Sequence, residues 1–166
     1  MFQNTTDFTL YYDNKPEYYQ SLVAQLSALL SIERDPVTNM AQTSAFIFQS
    51  IPELNWAGFY LNDKDTQLKL GPFQGKVACV HIPFGRGVCG SVAQTREAVC
   101  VNNVHQFEGH IACDSASNAE IVIPIIVDDK LIGVLDIDSP KVDRFTNEDV
   151  AGMELLVASF IEATQI

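Results

Sequence analysis

The run HIACDSASNAEIVIPI, residues 110–125, sets Cys113 among small polar residues, seven positions ahead of Glu120 and the apolar stretch it opens. A cysteine kept for packing belongs among the isoleucines that follow; one flanked by Asp114, Ser115 and Ser117 is placed for reaction. Further on, GVLDIDSP carries Asp136 and Asp138 two residues apart. On a strand that spacing turns both carboxylates to one face and leaves Leu135 and Ile137 to the other. Carboxylates packed together cannot all ionise cheaply, so at least one keeps its proton near neutral pH and can act as a general acid toward a reaction begun by the thiol. The others could hold an ammonium group. A pocket of this kind suits a small zwitterion better than an anion.

Whether the acids meet depends on register. EIVIPIIV and LIGVLDID give a strong hairpin signal across Asp128-Asp129-Lys130. With Asp129 at the centre of a three-residue turn, Glu120 falls opposite Asp138 and Val122 opposite Asp136, so three carboxylates share one patch. A slip of one residue would send Glu120 to the opposite face. An exposed polar sheet face is the alternative. Against it, both segments are otherwise almost purely apolar, and like charges opposed on a ladder destabilise it unless a cation or a shared proton intervenes.

The elements that would position these groups follow from periodicity. Tyr19, Leu22, Leu26, Leu29 and Leu30 repeat at helical spacing within residues 15–31. Asp35-Pro36 opens a second helix with Val37, Met40, Ser44 and Phe48 on one face. NWAGFYL, QLKLG, KVACVHI and EAVCVNNV read as strands, with a turn at residues 62–65, and GRGVCGSVAQT as a loop and short helix. The segment from His105 to Asn118 has no periodicity, and a loop of that length in a compact domain is usually functional. Thr146 to Asp149 resembles a capping box for a helix over 147–163, with Val150, Met153, Leu156, Val157 and Phe160 inward. The expected fold is α+β: one domain over residues 1–166, a mostly antiparallel sheet of about six strands, and flanking N- and C-terminal helices.

Composition narrows the function. A hydrophobic fraction of 47% and a charged fraction of 19% over 166 residues describe an ordinary globular domain, and a net charge of −11 opposes binding to nucleic acid or an anionic membrane. The N-terminal residues lack a basic, apolar signal pattern, and IVIPIIV is far short of the ~20 residues of a membrane span, so a cytoplasmic setting is expected. There, Cys79, Cys89, Cys100 and Cys113 are catalytic, metal-binding or buried thiols rather than structural disulfides. No C-x₂-C pair supports a zinc module, and no metal is expected. Cys100, between valines, reads as inert core; Cys79 alternates with Val77 and Val80 on a strand; Cys89 lies at a helix start, where backbone N–H groups favour a thiolate.

Taken together, VACVHIPFGRGVCGSVA, HIACDS, NAEIVIPI and GVLDIDSP resemble the free methionine-(R)-sulfoxide reductases, enzymes built on a single GAF domain, over nearly the whole chain. The resemblance implies that Cys113 attacks the sulfoxide sulfur, releasing methionine and leaving a sulfenic acid. It implies that Cys79 condenses with that sulfenic acid, and that Cys89 can also join disulfide formation. Glu120, Asp136 and Asp138 match the acids that recognise the substrate and polarise its S–O bond, with Asp138 given a catalytic role. Trp56 matches the aromatic that packs on the substrate's methyl group. The same resemblance implies no bound cofactor, an external thioredoxin and NADPH system as reductant, and a homodimer. A GAF-type sensor that binds a small molecule without chemistry, or a Cys79–Cys113 redox switch, is the competing reading; neither explains an Asp-x-Asp pair on an apolar strand.

Overall fold

The computed structural model describes residues 8–109 and 115–166. Three helices come first: α1 (Thr9–Asp13), α2 (Lys15–Leu30) and α3 (Pro36–Ser50). Asn14 caps α2 by accepting from the Glu17 N–H at 3.2 Å, and Asp35 caps α3 by accepting from the Thr38 N–H at 2.8 Å. Each cap precedes a proline in the first turn, where its missing N–H costs nothing. The strands are β1 (Trp56–Asp63), β2 (Gln67–Gly75), β3 (His81–Pro83), β4 (Val99–Val101), β5 (Ala119–Val127) and β6 (Lys130–Ser139). Helix α4 (Gly87–Thr95) lies between β3 and β4, and α5 (Asn147–Ala163) closes the chain. The strands form one sheet in the order β3-β2-β1-β6-β5-β4, every neighbouring pair antiparallel.

Alternation divides this sheet into two differently covered faces. Ala57 and Phe59 on β1, Ile121 and Ile123 on β5, and Leu135 and Ile137 on β6 pack into the larger core under α2, α3 and α5. Trp56, Tyr60, Val122 and Val134 point the other way, into a smaller cluster covered by α4. The two central strands are therefore buried on both sides. That explains their nearly unbroken apolar character.

The hairpin keeps the expected register at the acids but reaches it differently. Glu120 pairs with Asp138 and Val122 with Asp136. The turn has two residues, Asp128 and Asp129, both left-handed (φ 49° and 61°), as a tight hairpin turn requires. Ile125 pairs with Gly133 and Ile126 with Leu131, so Ile132 is an extra residue bulged out of β6, and this bulge restores the register.

Other expectations shorten or rotate. KVACVHI is a strand only at His81–Pro83; residues 77–79 are irregular, with Val77 88% exposed, because no partner strand reaches them. EAVCVNNV contracts to Val99–Val101. Helix α3 buries Met40, Thr43, Ser44, Phe46 and Ile47 while Val37 faces solvent, so its inner face is turned from the expected one.

The first and last long helices are joined by a buried polar clamp. Asp149, in the first turn of α5, accepts from Tyr11 at 2.5 Å, Tyr19 at 2.9 Å and Lys15 at 2.6 Å, and reaches back to the Thr146 N–H at 2.8 Å. Burial pushes its carboxyl up, but the Lys15, Tyr11 and Thr146 hydrogen bonds outweigh that and hold it below its ordinary value. Gly152 lies one turn further along α5, and a Cβ there would stand 2.2 Å from Cγ of the Tyr19 ring. Tyr19 cannot swing aside without breaking its bond to Asp149. Replacing glycine by alanine in a helix normally stabilises by about 1 kcal/mol. Here Gly152→Ala is expected to destabilise by about 1–3 kcal/mol through overpacking, read from urea unfolding; an increase in stability would show that α2 and α5 are not in this close contact.

Candidate functional site

Glu120, Asp136 and Asp138 lie on the face of the sheet that α4 covers. Glu120 and Asp136 are each 6% exposed, and Asp138 is half-buried. On the neighbouring strand Trp56 pairs with Asp138 and Gly58 with Asp136, so the acids face an aromatic wall. Trp56 stacks on Tyr60 (ring centroids 5.7 Å apart) and Phe73 (5.2 Å) and donates its indole N–H to the Lys76 carbonyl at 3.1 Å. The indole is thus fixed in plane and in tilt. Acids and aromatics together line a cleft of about 490 Å³, part of it open to solvent.

Helix α4 brings the thiol of Cys89 down onto the acids. Gly90 allows this approach, since a Cβ there would lie 2.4 Å from the Pro83 carbonyl oxygen. Cys89 Sγ stands 3.7 Å from Glu120 Oε1, and the thiol, Glu120 and Asp136 place ligating atoms all within 4.8 Å of one another. Cys89 is 4% exposed.

Burial governs the charges. It raises Glu120 well above the ordinary carboxylate value, and the neighbouring Asp136 and Asp138 raise it further. Burial also raises Asp136, to about 6, with hydrogen bonds from Cys89 and Glu120 limiting the rise. Burial and the neighbouring acids thus favour the protonated form of Glu120, which donates toward Asp136. Oδ1 of Asp136 is buried with no hydrogen-bond partner.

The expectation that Cys89 is a thiolate is overturned. It does sit at the third position of α4, but burial, then the Asp136 and Glu120 carboxylates, push its thiol well above the ordinary value. Desolvation and two acids outweigh a helix start. Cys89 and Cys100 are free thiols, with Cys100 packed against the larger core as its valine neighbours suggest. Cys79 is half-buried in the segment after β2 and is disulfide-bonded. Cys113 lies outside the described residues.

Sequence reasoning missed two lining residues. Tyr60 shares the face of Trp56 four residues along β1, a signal that period-two counting could have supplied, and donates its hydroxyl to the Cys79 carbonyl at 3.1 Å. Arg86, immediately before α4, is the one cationic side chain on the cleft wall among the described residues. Nothing in the spacing of GRG marks it.

Known proteins resemble this chain in sequence and in fold. A sequence profile of the GAF domain matches residues 37–162. The chain is 51% identical over 145 residues to the free methionine-R-sulfoxide reductase of Escherichia coli (strain K12), covering 87% of each. Over 150 residues it is 41% identical to the free methionine-R-sulfoxide reductase of Saccharomyces cerevisiae, covering 86% of this chain and 83% of the relative. The X-ray structure of the Neisseria meningitidis free methionine-R-sulfoxide reductase in complex with its substrate superposes with a TM-score of 0.86 at 38% identity, over 90% of each chain. The chain belongs to the GAF-domain family, with the free methionine-R-sulfoxide reductases among its members.

Proposed function

We propose that this protein reduces free methionine-R-sulfoxide to methionine. The observation that carries the reading is a pair of carboxyls, Glu120 and Asp136, buried together beside the Cys89 thiol in the cleft that Trp56 lines, where burial favours the protonated form of Glu120. Sulfoxide oxygen is a poor leaving group until protonated, and a buried protonated acid supplies that proton. Asp136 and Asp138 receive the substrate's ammonium group, and the indole of Trp56 packs on its methyl. Arg86 and backbone N–H groups of the 105–118 loop are the donors for its carboxylate.

Cys113 is the nucleophile in this reading. Its sulfur bonds to the sulfoxide sulfur as the acid pair protonates the oxygen and takes up the thiol proton; the hydroxyl then passes to the Cys113 sulfur as the S–O and transient S–S bonds break, releasing methionine and leaving a Cys113 sulfenic acid. The Cys79 thiol then displaces that hydroxyl as water, forming a disulfide. Two electrons and two protons from a thioredoxin dithiol, itself recharged by NADPH, restore both thiols. Cys89, buried and protonated, is a second candidate for exchange with that disulfide. Asp138 shares the acid's task, since it faces Glu120 across the ladder. The reducing cytoplasm is the setting this cycle needs, and pairing of terminal helices as a homodimer is compatible with it.

A coupled assay with thioredoxin, its reductase and NADPH tests the reading. Turnover is expected with the R epimer of free methionine sulfoxide and not the S epimer, and none with Cys113→Ser. A sensor module would consume no NADPH with either epimer.

The acid pair sets the pH dependence. Ionised Asp136 is needed to hold the ammonium group and protonated Glu120 to release the oxygen. Thus kcat/KM is expected to rise as Asp136 ionises near pH 6 and to fall where Glu120 loses its proton. Glu120→Gln keeps the shape but cannot deliver a proton, and kcat/KM is expected to drop about 10²–10⁴-fold with loss of the alkaline limb. A variant with an unchanged profile would remove Glu120 from the reaction.

The same shift makes the site a stability cost. Below the ordinary value of 3.8 Asp136 is protonated both folded and unfolded; above about 6 it is ionised in both, and only the folded state is penalised. Asp136→Asn should therefore be more stable than the parent at neutral pH, by about 3 kcal/mol at most. The advantage should shrink as pH falls from about 6 and vanish below 3.8, followed by denaturant unfolding across pH. A variant less stable at neutral pH would show that Asp136 is not held in a desolvated state.

A further inference from the structure

We propose that Cys89, Glu120 and Asp136 form a binding site for a borderline-soft divalent cation of the zinc type. The ligands come from α4, β5 and β6, so no sequence spacing could announce them. Their ligating atoms lie within 4.8 Å of one another, and Cys89 Sγ to Glu120 Oε1 is 3.7 Å. A tetrahedral zinc with ordinary Zn–S and Zn–O bonds separates a sulfur–oxygen pair by about 3.5 Å, close to the Cys89–Glu120 spacing, and the 4.8 Å bound on the remaining atoms is closed by small rotations of the carboxylates.

A second observation points to a ligand here. Asp136 is 6% exposed, lines the cleft, and leaves its buried Oδ1 without a hydrogen-bond partner. That atom wants a cation. Thiolate with two carboxylates and one open position suits zinc or cobalt(II) rather than magnesium or calcium, which take oxygen alone. The fourth position opens to the cleft, where water or a substrate atom completes the sphere. A bound cation would occupy the ground that the substrate's ammonium needs, and would hold Cys89 out of thiol exchange. This consequence rests on the reductase reading; occupancy itself does not.

Cobalt(II), added to the fully reduced full-length chain with the reductant removed, is the probe. The expected result is one equivalent bound, with thiolate-to-cobalt charge-transfer absorption and visible bands of four-coordinate intensity, both displaced by zinc. Cys89→Ser should abolish the charge-transfer band and weaken binding beyond the roughly 10–100-fold that follows loss of a group merely orienting a ligand. Glu120→Gln should weaken binding while keeping the band, and Cys79→Ser and Cys113→Ser should leave both unchanged. Circular dichroism of each variant separates misfolding from lost ligation. A band that survives Cys89→Ser, one that disappears with Cys79→Ser or Cys113→Ser, or no stoichiometric binding would overturn the proposal. Because the readout is spectroscopic, it is independent of whether the sulfoxide is turned over.

Discussion

Two buried carboxyls, Glu120 and Asp136, and the half-buried Asp138 share one face of a two-stranded hairpin with the Cys89 thiol of α4 set down onto them, and most of the architecture can be understood as what that arrangement requires. Left alone, the acids would repel and swing into solvent. They stay because β5 and β6 are pinned from behind: Ile121, Leu135 and Ile137 are fully buried against the helices, and a strand cannot present those residues inward without presenting Glu120, Asp136 and Asp138 on the other side. The hydrophobic contacts of one face thus supply the force that crowds charge on the other. A proton on Glu120, donated toward Asp136, relieves that crowding.

The unequal covering of the sheet follows from the same division. The larger core takes three helices, two of them joined through Asp149 and the close passage of Tyr19 over Gly152. That side is built for rigidity, and it anchors the hairpin's apolar side chains. Among the described residues the site side carries one helix, α4, of nine residues, and a cleft remains beside it. A fuller cover would have filled the space a ligand must enter.

The sequence was most legible where burial and alternation act together. The α+β class, the six strands and the meeting of Glu120 with Asp138 could all be read from apolar periodicity, because register is strongly specified when one face is core. The turn was misjudged. A two-residue turn plus a bulged Ile132 gives the same pairing as a three-residue turn, and alternation around the acids does not distinguish them. Residues 77–80 looked like a strand because valine flanks Cys79, yet strand pairing is decided by a neighbour that local pattern does not reveal. Cys89 was misread for a related reason: its position on α4 was visible, but the carboxylates beneath it arrive from strands some thirty and more residues away.

The charge of the site also bears on which sulfoxide it can accept. Burial raises Asp136 to about 6, and its buried Oδ1 has no hydrogen-bond partner, so positive charge brought into the cleft is favoured there. Free methionine sulfoxide brings an ammonium group within a few bonds of its sulfur. A residue inside a peptide brings an amide instead, which carries no charge to set against Asp136. Burying an unpaired charge costs more than a modest apolar contact with Trp56 can offset. Discrimination for the free amino acid then needs no lid to exclude a longer chain. In the proposed reading, the crowding that favours a proton on Glu120 also favours a substrate that brings positive charge.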